Sequence, residues 1–252
     1  MAGEMQGKVA LITGGGSGIG RATSVAFARA GAKVVVADVV APGGNRTVEL
    51  IRDTGGDAVF VQTDVTVSRQ VERMVKTAVD TFGGLDCAYN NAGIEGPSTG
   101  LLDCTEEDWQ RVLAVNLTGV WLCMKHEIPA MVARGGGAIV NTSSVLGLVG
   151  VPFIPPYIAS KHGVAGLTKE AALEFAAANI RVNAVCPGSI RTPMVERTMA
   201  AGTTEKALAA PQAIKRLGRP EEIAAAVVWL CSDAASFVTG VVMPVDGGWT
   251  SS

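Results

Sequence analysis

Aromatic residues and long apolar runs are scarce in this chain of 252 residues. Aromatic side chains make up 5% of the sequence and hydrophobic residues 48%, so the core must consist mainly of Ala, Val, Leu and Ile. No apolar stretch approaches the ~20 residues of a membrane-spanning helix, and residues 1–7 lack the apolar segment of a secretory signal. We therefore expect a cytoplasmic protein with no membrane partner.

Cysteine, histidine and clustered positive charge are also lacking. The five cysteines form no C-x-x-C pair, and His126 and His162 are the only histidines. This pattern indicates reduced thiols and gives no reason to expect a bound metal ion. The formal net charge is −2 and no run of Lys and Arg occurs, which argues against nucleic acid as a partner.

Apolar runs and helical patterns alternate along the chain. Strand-like runs occupy residues 8–13, 33–37, 58–62, 85–89, 138–142, 181–186 and 241–245. Helical segments such as residues 68–82, 106–132, 157–178 and 221–232 lie between them. Strands that are apolar throughout are typical of a parallel sheet covered on both faces. The sequence predicts an α/β fold in one Rossmann-type domain over residues 1–252, with a doubly wound parallel sheet of about seven strands.

Glycines are concentrated between the first strand and the helix that follows it. The segment TGGGSGIG at residues 13–20 spaces them as Gly14-x-x-x-Gly18-x-Gly20. Such glycines let the backbone approach a pyrophosphate and direct the free N–H groups of the helix towards it. A flexible turn is the alternative, but the position between an apolar strand and an amphipathic helix favours a dinucleotide site.

Asp38 ends the second predicted strand, at the position where an acidic residue accepts hydrogen bonds from the ribose of the cofactor adenosine. A carboxylate there would repel the 2′-phosphate of NADP. The neighbouring Val39 and Val40 offer no guanidinium to bind that phosphate. The sequence therefore predicts NAD as the cofactor, and a turn or helix cap is the alternative role of Asp38.

Several motifs together resemble the short-chain dehydrogenase/reductase family. They are TGGGSGIG at residues 13–20, TDVT at 63–66, NNAG at 90–93, YIASK at 157–161 and PG at 187–188. The resemblance implies an oxidoreductase that transfers a hydride between NAD and a small alcohol or ketone. It also implies cofactor contacts with Gly14, Ser17, Gly18, Ile19, Gly20, Asp38, Asp64, Val65, Asn91, Ala92, Gly93, Tyr157, Lys161, Pro187, Gly188, Ile190 and Thr192.

Tyr157 and Lys161 are four residues apart, which puts a phenol and an ammonium on one face of a helix. Hydride transfer requires a group that takes a proton from an alcohol or gives one to an alkoxide. A nearby cation favours the phenolate, so we expect Lys161 and the positive nicotinamide to lower the pKa of Tyr157 from its ordinary ~10. Tyr157 is the predicted general acid and base; an exposed helical pair is the alternative.

The family resemblance adds Ser144 and Asn116 to the catalytic set. Ser144 would hold the substrate oxygen, and the spacing between serine and tyrosine in the family selects it over Ser143. Asn116 resembles the family asparagine that holds a water in a proton relay to Lys161. Each has a structural alternative: Ser144 as a turn or cap residue, Asn116 as a partner of backbone groups.

The expected walls of the substrate pocket are mostly apolar. They are Leu146, Val149, Phe153, Ile154 and Met194, with Glu95 near the mouth. This lining favours an alicyclic or aliphatic substrate over a sugar, although some of these residues could belong to the core. Residues 194–211 are expected to form a mobile lid.

Other functions and assemblies remain open. A reductase of 3-oxoacyl thioesters is one alternative, although Asp38 argues against its usual NADPH. A sugar dehydrogenase is another. A catalytically silent dinucleotide sensor would be expected to lack Tyr157 or Lys161, and both are present. The resemblance further implies a homotetramer with residues 106–132 and 157–178 in one interface, and a dimer is the alternative.

Overall fold

A parallel sheet runs through residues 3–251, the part of the chain that the computed structural model describes. Its strands are β1 (Val9–Thr13), β2 (Lys33–Asp38), β3 (Ala58–Gln62), β4 (Cys87–Asn90), β5 (Gly137–Thr142), β6 (Ile180–Pro187) and β7 (Val242–Val245). They are ordered β3-β2-β1-β4-β5-β6-β7, and every neighbouring pair is parallel. The predicted fold class is confirmed.

Helices cover both faces of this sheet. They are α1 (Gly18–Arg29), α2 (Ala41–Arg52), α3 (Ser68–Phe82), α4 (Glu106–Leu113), α5 (Gly119–Arg134), α6 (Pro155–Phe175), α7 (Pro193–Ala200), α8 (Glu205–Ala209) and α9 (Pro220–Cys231). On β1, Leu11 belongs to a buried cluster with α3, α5 and α6, while Ile12 belongs to one with α1, α2 and α9. Burial on both faces explains why the strands are apolar throughout. Within residues 3–251, no helix has the length and apolar character that crossing a membrane requires.

Helix α2 has no counterpart among the helical segments expected from the sequence. Its first turn contains Pro42, Gly43 and Gly44, residue types that usually mark a loop. The structure shows why a small residue is needed, because a Cβ on Gly44 would lie 2.1 Å from the ring of Phe60 on β3. Close packing of α2 on β3 therefore overrides the local preference of this segment.

The helix expected over residues 106–132 is interrupted. A π-helical turn at Ala114–Thr118 separates α4 from α5. Within this turn the buried Asn116 accepts a hydrogen bond from Ile94 N at Oδ1 and donates one from Nδ2 to Ile94 O, both at 2.8 Å. π turns frequently occur at functional sites. The helical segment expected there is present from Glu106 to Arg134, and only the π turn within it was not expected, because the bonding partner of Asn116 lies on a distant loop.

A carboxyl group is buried between the sheet and α5. Glu127 is 0% exposed, and its Oε2 accepts a hydrogen bond from Asn90 Nδ2 at 3.0 Å. Within the described chain, Oε1 of Glu127 and Oδ1 of Asn90 have no hydrogen-bond partner. Burial raises the pKa of Glu127 to about 7, because the ionised carboxylate would lose its hydration there.

The Glu127→Gln variant is expected to be more stable than the wild type by an amount that grows as the pH rises. The folded-state pKa of Glu127 lies above the ordinary 4.5, so its protonated form stabilises the fold at low pH. That contribution to the free energy of unfolding, on the order of 1–3 kcal/mol, is lost as the pH rises through about 7. Glutamine does not ionise, keeps an acceptor for Asn90 Nδ2 and adds a donor for Asn90 Oδ1.

Thermal unfolding of wild type and variant at about pH 5 and about pH 8 measures this effect. The difference in Tm between the two proteins should grow at the higher pH. Glu107→Gln, at an exposed position of α4, is the control and should show no such change. A Tm difference for Glu127→Gln that stays the same at both pH values would contradict the buried titration.

Candidate active site

A cavity of about 570 Å³ opens at the carboxyl ends of the central strands. It lies where the strand order reverses between β1 and β4, the position at which doubly wound sheets bind ligands. The predicted residues that line it are Gly14, Ser17, Gly18, Ile19, Asp38, Asp64, Val65, Asn91, Ala92, Gly93, Glu95, Ser144, Leu146, Ile154, Tyr157, Lys161, Pro187, Gly188, Ile190, Thr192 and Met194. The fold thus brings together motifs that are far apart in the sequence.

The glycine loop forms one end of the cavity. Helix α1 begins after Ser17, whose side chain makes no capping bond, so the first N–H groups of the helix are available to an anion. Gly14 and Gly18 have φ values of 62° and 49°, a conformation that favours glycine. Gly20 does not line the cavity, because it packs the helix against the loop: its Cβ would lie 2.1 Å from Gly14 O. The expectation that Gly20 contacts the cofactor stays a prediction.

Asp38 lies at the same end, and both of its oxygens accept hydrogen bonds from the backbone. Oδ2 accepts from Gly16 N and Oδ1 from Val40 N, each at 2.8 Å. These are bonds of the turn type that the sequence left as an alternative. Since a carboxylate oxygen can accept more than one hydrogen bond, Asp38 can hold the turn and still bind a ribose. The nearby Arg21 guanidinium donates to Gly16 O and to Thr47, and Arg21 does not line the cavity.

Thr13 connects the glycine loop to the end of β4. Its Oγ1 accepts hydrogen bonds from Asn91 N at 2.9 Å and Ala92 N at 3.1 Å, while Asn91 Nδ2 donates to Thr13 O at 3.0 Å. Sequence reasoning missed this role, and the only available signal was a hydroxyl residue at the end of an apolar strand. These bonds explain how two motifs from separate strands form one continuous wall.

Ser144, Tyr157 and Lys161 meet at the other end of the cavity. The Ser144 side chain lies close to the Tyr157 hydroxyl and favours its ionised form. Ser143 Oγ instead donates to Lys161 O at 2.8 Å, which leaves Ser144 as the serine beside the tyrosine. Lys161 Nζ lies 5.6 Å from the centre of the Tyr157 ring and donates to Thr142 O at 2.8 Å. The proton-transfer groups are thus assembled on one wall.

The pKa of Tyr157 is shifted opposite to the expected direction. Burial raises it to about 12, which outweighs the effect of the nearby Ser144 hydroxyl that favours the phenolate. Burial also lowers the pKa of Lys161 to about 8. The expectation named Lys161 together with the positive nicotinamide, so a lowered pKa of Tyr157 in a site that holds both cations stays a prediction.

Asn116 lies behind the cavity wall and does not line it. Besides its two bonds with Ile94, its Nδ2 donates to Ser160 Oγ at 3.2 Å. A Cβ on Gly93 would lie 3.3 Å from Asn116 Oδ1 and 3.6 Å from Lys161 Nζ, so both groups border the same small space. Asn116 thus has the backbone-holding role left open by the sequence, and its part in a proton relay stays a prediction.

Phe153 and Val149 were expected in the pocket wall but do not line the cavity. Phe153 is 61% exposed and has a φ of 72°. Its carbonyl accepts a hydrogen bond from Thr99 N at 2.8 Å, which sets the course of the chain and leaves the ring at the surface. Local sequence could not reveal a positive φ at a residue other than glycine.

The segment expected as a lid, residues 194–211, contains most of α7 and all of α8. Met194, Arg197 and Thr198 of α7 line the cavity, so this segment covers the reacting end. Sequence reasoning missed Arg197 and Thr198, since nothing in the local pattern distinguished them from surface residues. Whether the segment moves stays a prediction.

Comparisons with known proteins agree with this geometry. The family model described as "Enoyl-(Acyl carrier protein) reductase" matches residues 14–250. The chain is 45% identical to a cyclohexanol dehydrogenase of Acinetobacter sp. (strain SE19), over 100% of this chain and 98% of that protein.

Two solved structures share the whole fold. Levodione reductase has a TM-score of 0.94 and 39% identity, covering 98% of this chain and 99% of its own. Carveol dehydrogenase from Mycobacterium avium in complex with NAD has a TM-score of 0.95 and 32% identity over 100% of both chains. This chain belongs to the short-chain dehydrogenase/reductase family.

Proposed function

We propose that this protein is an NAD-dependent oxidoreductase that interconverts secondary alcohols and ketones. The observation that carries the proposal is the meeting of Ser144, Tyr157 and Lys161 in the same cavity as the glycine loop and Asp38. One ligand-binding space thus offers both a proton-transfer group and the elements that bind a dinucleotide. The names of two relatives given above, a cyclohexanol dehydrogenase and a levodione reductase, support this choice of substrate class.

The residues present fit a bound dinucleotide. The free N–H groups at the start of α1 suit a pyrophosphate, and Asp38 suits the ribose hydroxyls. The oxidised cofactor, when bound, supplies the hydride acceptor and a positive charge. The choice of NAD over NADP rests on Asp38, and the NAD complex of the carveol dehydrogenase supports it.

The side chains of this protein would manage the proton. In oxidation the Tyr157 phenolate takes the proton of the alcohol, and in reduction the phenol returns it to the carbonyl oxygen. Ser144 would donate a hydrogen bond to the same oxygen and orient it. Lys161, held by Thr142 O, keeps a cationic group close to the ring. Since burial raises the pKa of Tyr157, formation of the phenolate depends on positive charge in the site.

A panel of alcohols assayed with NAD⁺ tests this proposal. The reacting end is lined by Ile94, Leu146, Ile154, Met194 and Val195, so activity should rise with the size of the alkyl group. Each buried methylene is worth ~0.8 kcal/mol, or about fourfold in kcat/KM, from 2-propanol to 2-pentanol. Initial rates of NADH formation measure it. A flat response to alkyl size, together with strong activity on glucose, would contradict an apolar site.

Two matched variants locate the apolar wall. Met194→Ala should weaken the dependence on alkyl size, because Met194 lines the cavity. Phe153→Ala should leave that dependence unchanged, because its ring is at the surface. The opposite outcome would show that Phe153 closes onto the substrate.

We also propose a homotetramer that works in the cytoplasm. Trp109 of α4, Trp121 and Val132 of α5 and Leu173 of α6 are exposed, so these helices carry more apolar surface than one core-facing stripe requires. The cysteines are all free in the described chain, which supports a reducing compartment.

A further inference from the structure

A carboxyl group lies at the otherwise apolar, reacting end of the cavity. Glu95 lines this end together with Ile94, Leu146, Ile154 and Met194. The backbone before Glu95 is held in place, because Asn116 is hydrogen-bonded to both the N–H and the C=O of Ile94, each at 2.8 Å. The buried π turn therefore fixes the backbone from which Glu95 projects.

The Glu95 carboxyl is weakly bonded. Among the described residues, its one side-chain hydrogen bond comes from Thr198 Oγ1 to Oε2, at 3.4 Å. Partial burial raises the pKa of Glu95, since the carboxylate loses part of its water, and the nearby Arg197 only reduces this shift. A carboxylate that has lost water and gained one long hydrogen bond favours any ligand that brings a donor.

Glu95 is also close to the reacting groups. Glu95 and Tyr157 line the same cavity, and the negative charge of Glu95 contributes to the raised pKa of Tyr157. A substrate whose oxygen contacts Ser144 and Tyr157 would therefore have the Glu95 carboxylate within the reach of a small ring. The apolar side chains around that ring offer no other acceptor of this strength.

We propose that Glu95 selects substrates that carry a second, non-reacting hydroxyl group, namely cyclic diols and their hydroxyketones. This inference rests on the proposed function, because it assumes that the reacting oxygen binds at Ser144 and Tyr157. The second hydroxyl donates to the carboxylate and replaces the water that Glu95 has lost. An alkyl group of the same size would leave the carboxylate without that donor. Hydrogen bonds to charged groups of this kind correspond to a preference of roughly tenfold to a hundredfold.

Oxidation of cyclohexane-1,4-diol and of 4-methylcyclohexanol tests the proposal, because a hydroxyl replaces a methyl on the same ring. The measured quantity is kcat/KM for the diol divided by kcat/KM for the methyl compound, both with NAD⁺. In Glu95→Leu this ratio should fall by about tenfold to a hundredfold in favour of the methyl compound. The ratio for Glu95→Gln should lie between those of the wild type and Glu95→Leu, since the glutamine amide oxygen still accepts a hydrogen bond.

The control variant is Glu196→Gln on α7, which removes an exposed carboxylate paired with Arg191 and should leave the ratio unchanged. Oxidation of unsubstituted cyclohexanol shows in every variant that the protein is folded and binds cofactor. An unchanged ratio in Glu95→Leu, with cyclohexanol oxidation intact, would overturn the role of Glu95 and leave the proposed function standing.

Two further outcomes are decisive. A wild-type protein that oxidises none of these alcohols would overturn the proposed function together with this inference. A preference for 4-hydroxycyclohexanecarboxylate over the diol, lost in Arg197→Ala, would show that the guanidinium and not Glu95 sets specificity. That result would overturn the inference alone.

Discussion

The Tyr157→Phe variant is expected to fold and bind NAD as the wild type does but to lose turnover by roughly 10²–10⁴-fold or more. The substitution removes only the hydroxyl, which lies close to the Ser144 side chain. Without it, the group proposed to take the proton of the alcohol is missing. Steady-state formation of NADH with cyclohexanol measures the loss, and titration calorimetry with NAD measures binding separately.

The chain contains two tyrosines, and the second supplies a matched control. Tyr89 is buried on β4 and does not line the cavity. Tyr89→Phe deletes the same atom from the core and should leave turnover within a few fold of wild type. Near-normal turnover in purified Tyr157→Phe would rule out the proposed acid–base role. An equal loss in both variants would indicate an effect on folding instead.

The second large effect is a preference for NAD over NADP of at least about a hundredfold in kcat/KM. Two backbone N–H groups hold the Asp38 carboxylate at the end of the cavity, where the additional phosphate of NADP would lie. Two unit charges ~4 Å apart near a protein surface interact by ~4 kcal/mol before screening by salt. About 2.7 kcal/mol suffices for a hundredfold discrimination. Assays with each cofactor at one alcohol concentration measure the ratio.

Variants at the adenosine end separate repulsion from loop structure. Asp38→Ala removes the repulsion of the NADP phosphate, so the preference for NAD over NADP should become smaller. It also removes both hydrogen bonds of the turn, so kcat/KM with NAD should fall. Adding Val39→Arg should narrow it further, because Val39 is exposed and lines the cavity, where a guanidinium can meet a phosphate. Asp57→Ala, at an exposed position outside the cavity, should leave the ratio unchanged. Equal efficiency of the wild type with both cofactors would show that Asp38 serves only the turn.

Most of the sheet and several helices could be predicted from local pattern. The strand Ala58–Gln62 and the helix Ser68–Phe82 have the bounds that the sequence predicts. Both are regular elements whose apolar residues repeat with the period of the structure and whose ends are marked by polar or glycine residues. The glycine loop, TDVT, NNAG and PG were also predictable, because each lies at the carboxyl end of a strand, whereas Tyr157 and Lys161 were predictable from their spacing on a helix.

Other parts of the site depend on contacts between distant segments. Helix α2 forms despite its glycines because Gly44 must pass close to Phe60. Asn116 lies in a π turn because its amide bonds Ile94. None of these partners is a near neighbour in the sequence, so a local pattern could not identify them.

The sequence by itself determined the alternation of strands and helices, the glycine loop and the spacing of Tyr157 and Lys161. These features depend on residues within one strand or one helical turn, where periodicity and backbone preference act. Only the tertiary structure decided that the pKa of Tyr157 is raised, that Phe153 is at the surface and that Glu95 lines the same cavity as Ser144 and Tyr157. Each of these depends on burial, and burial follows from how segments far apart in the chain pack together.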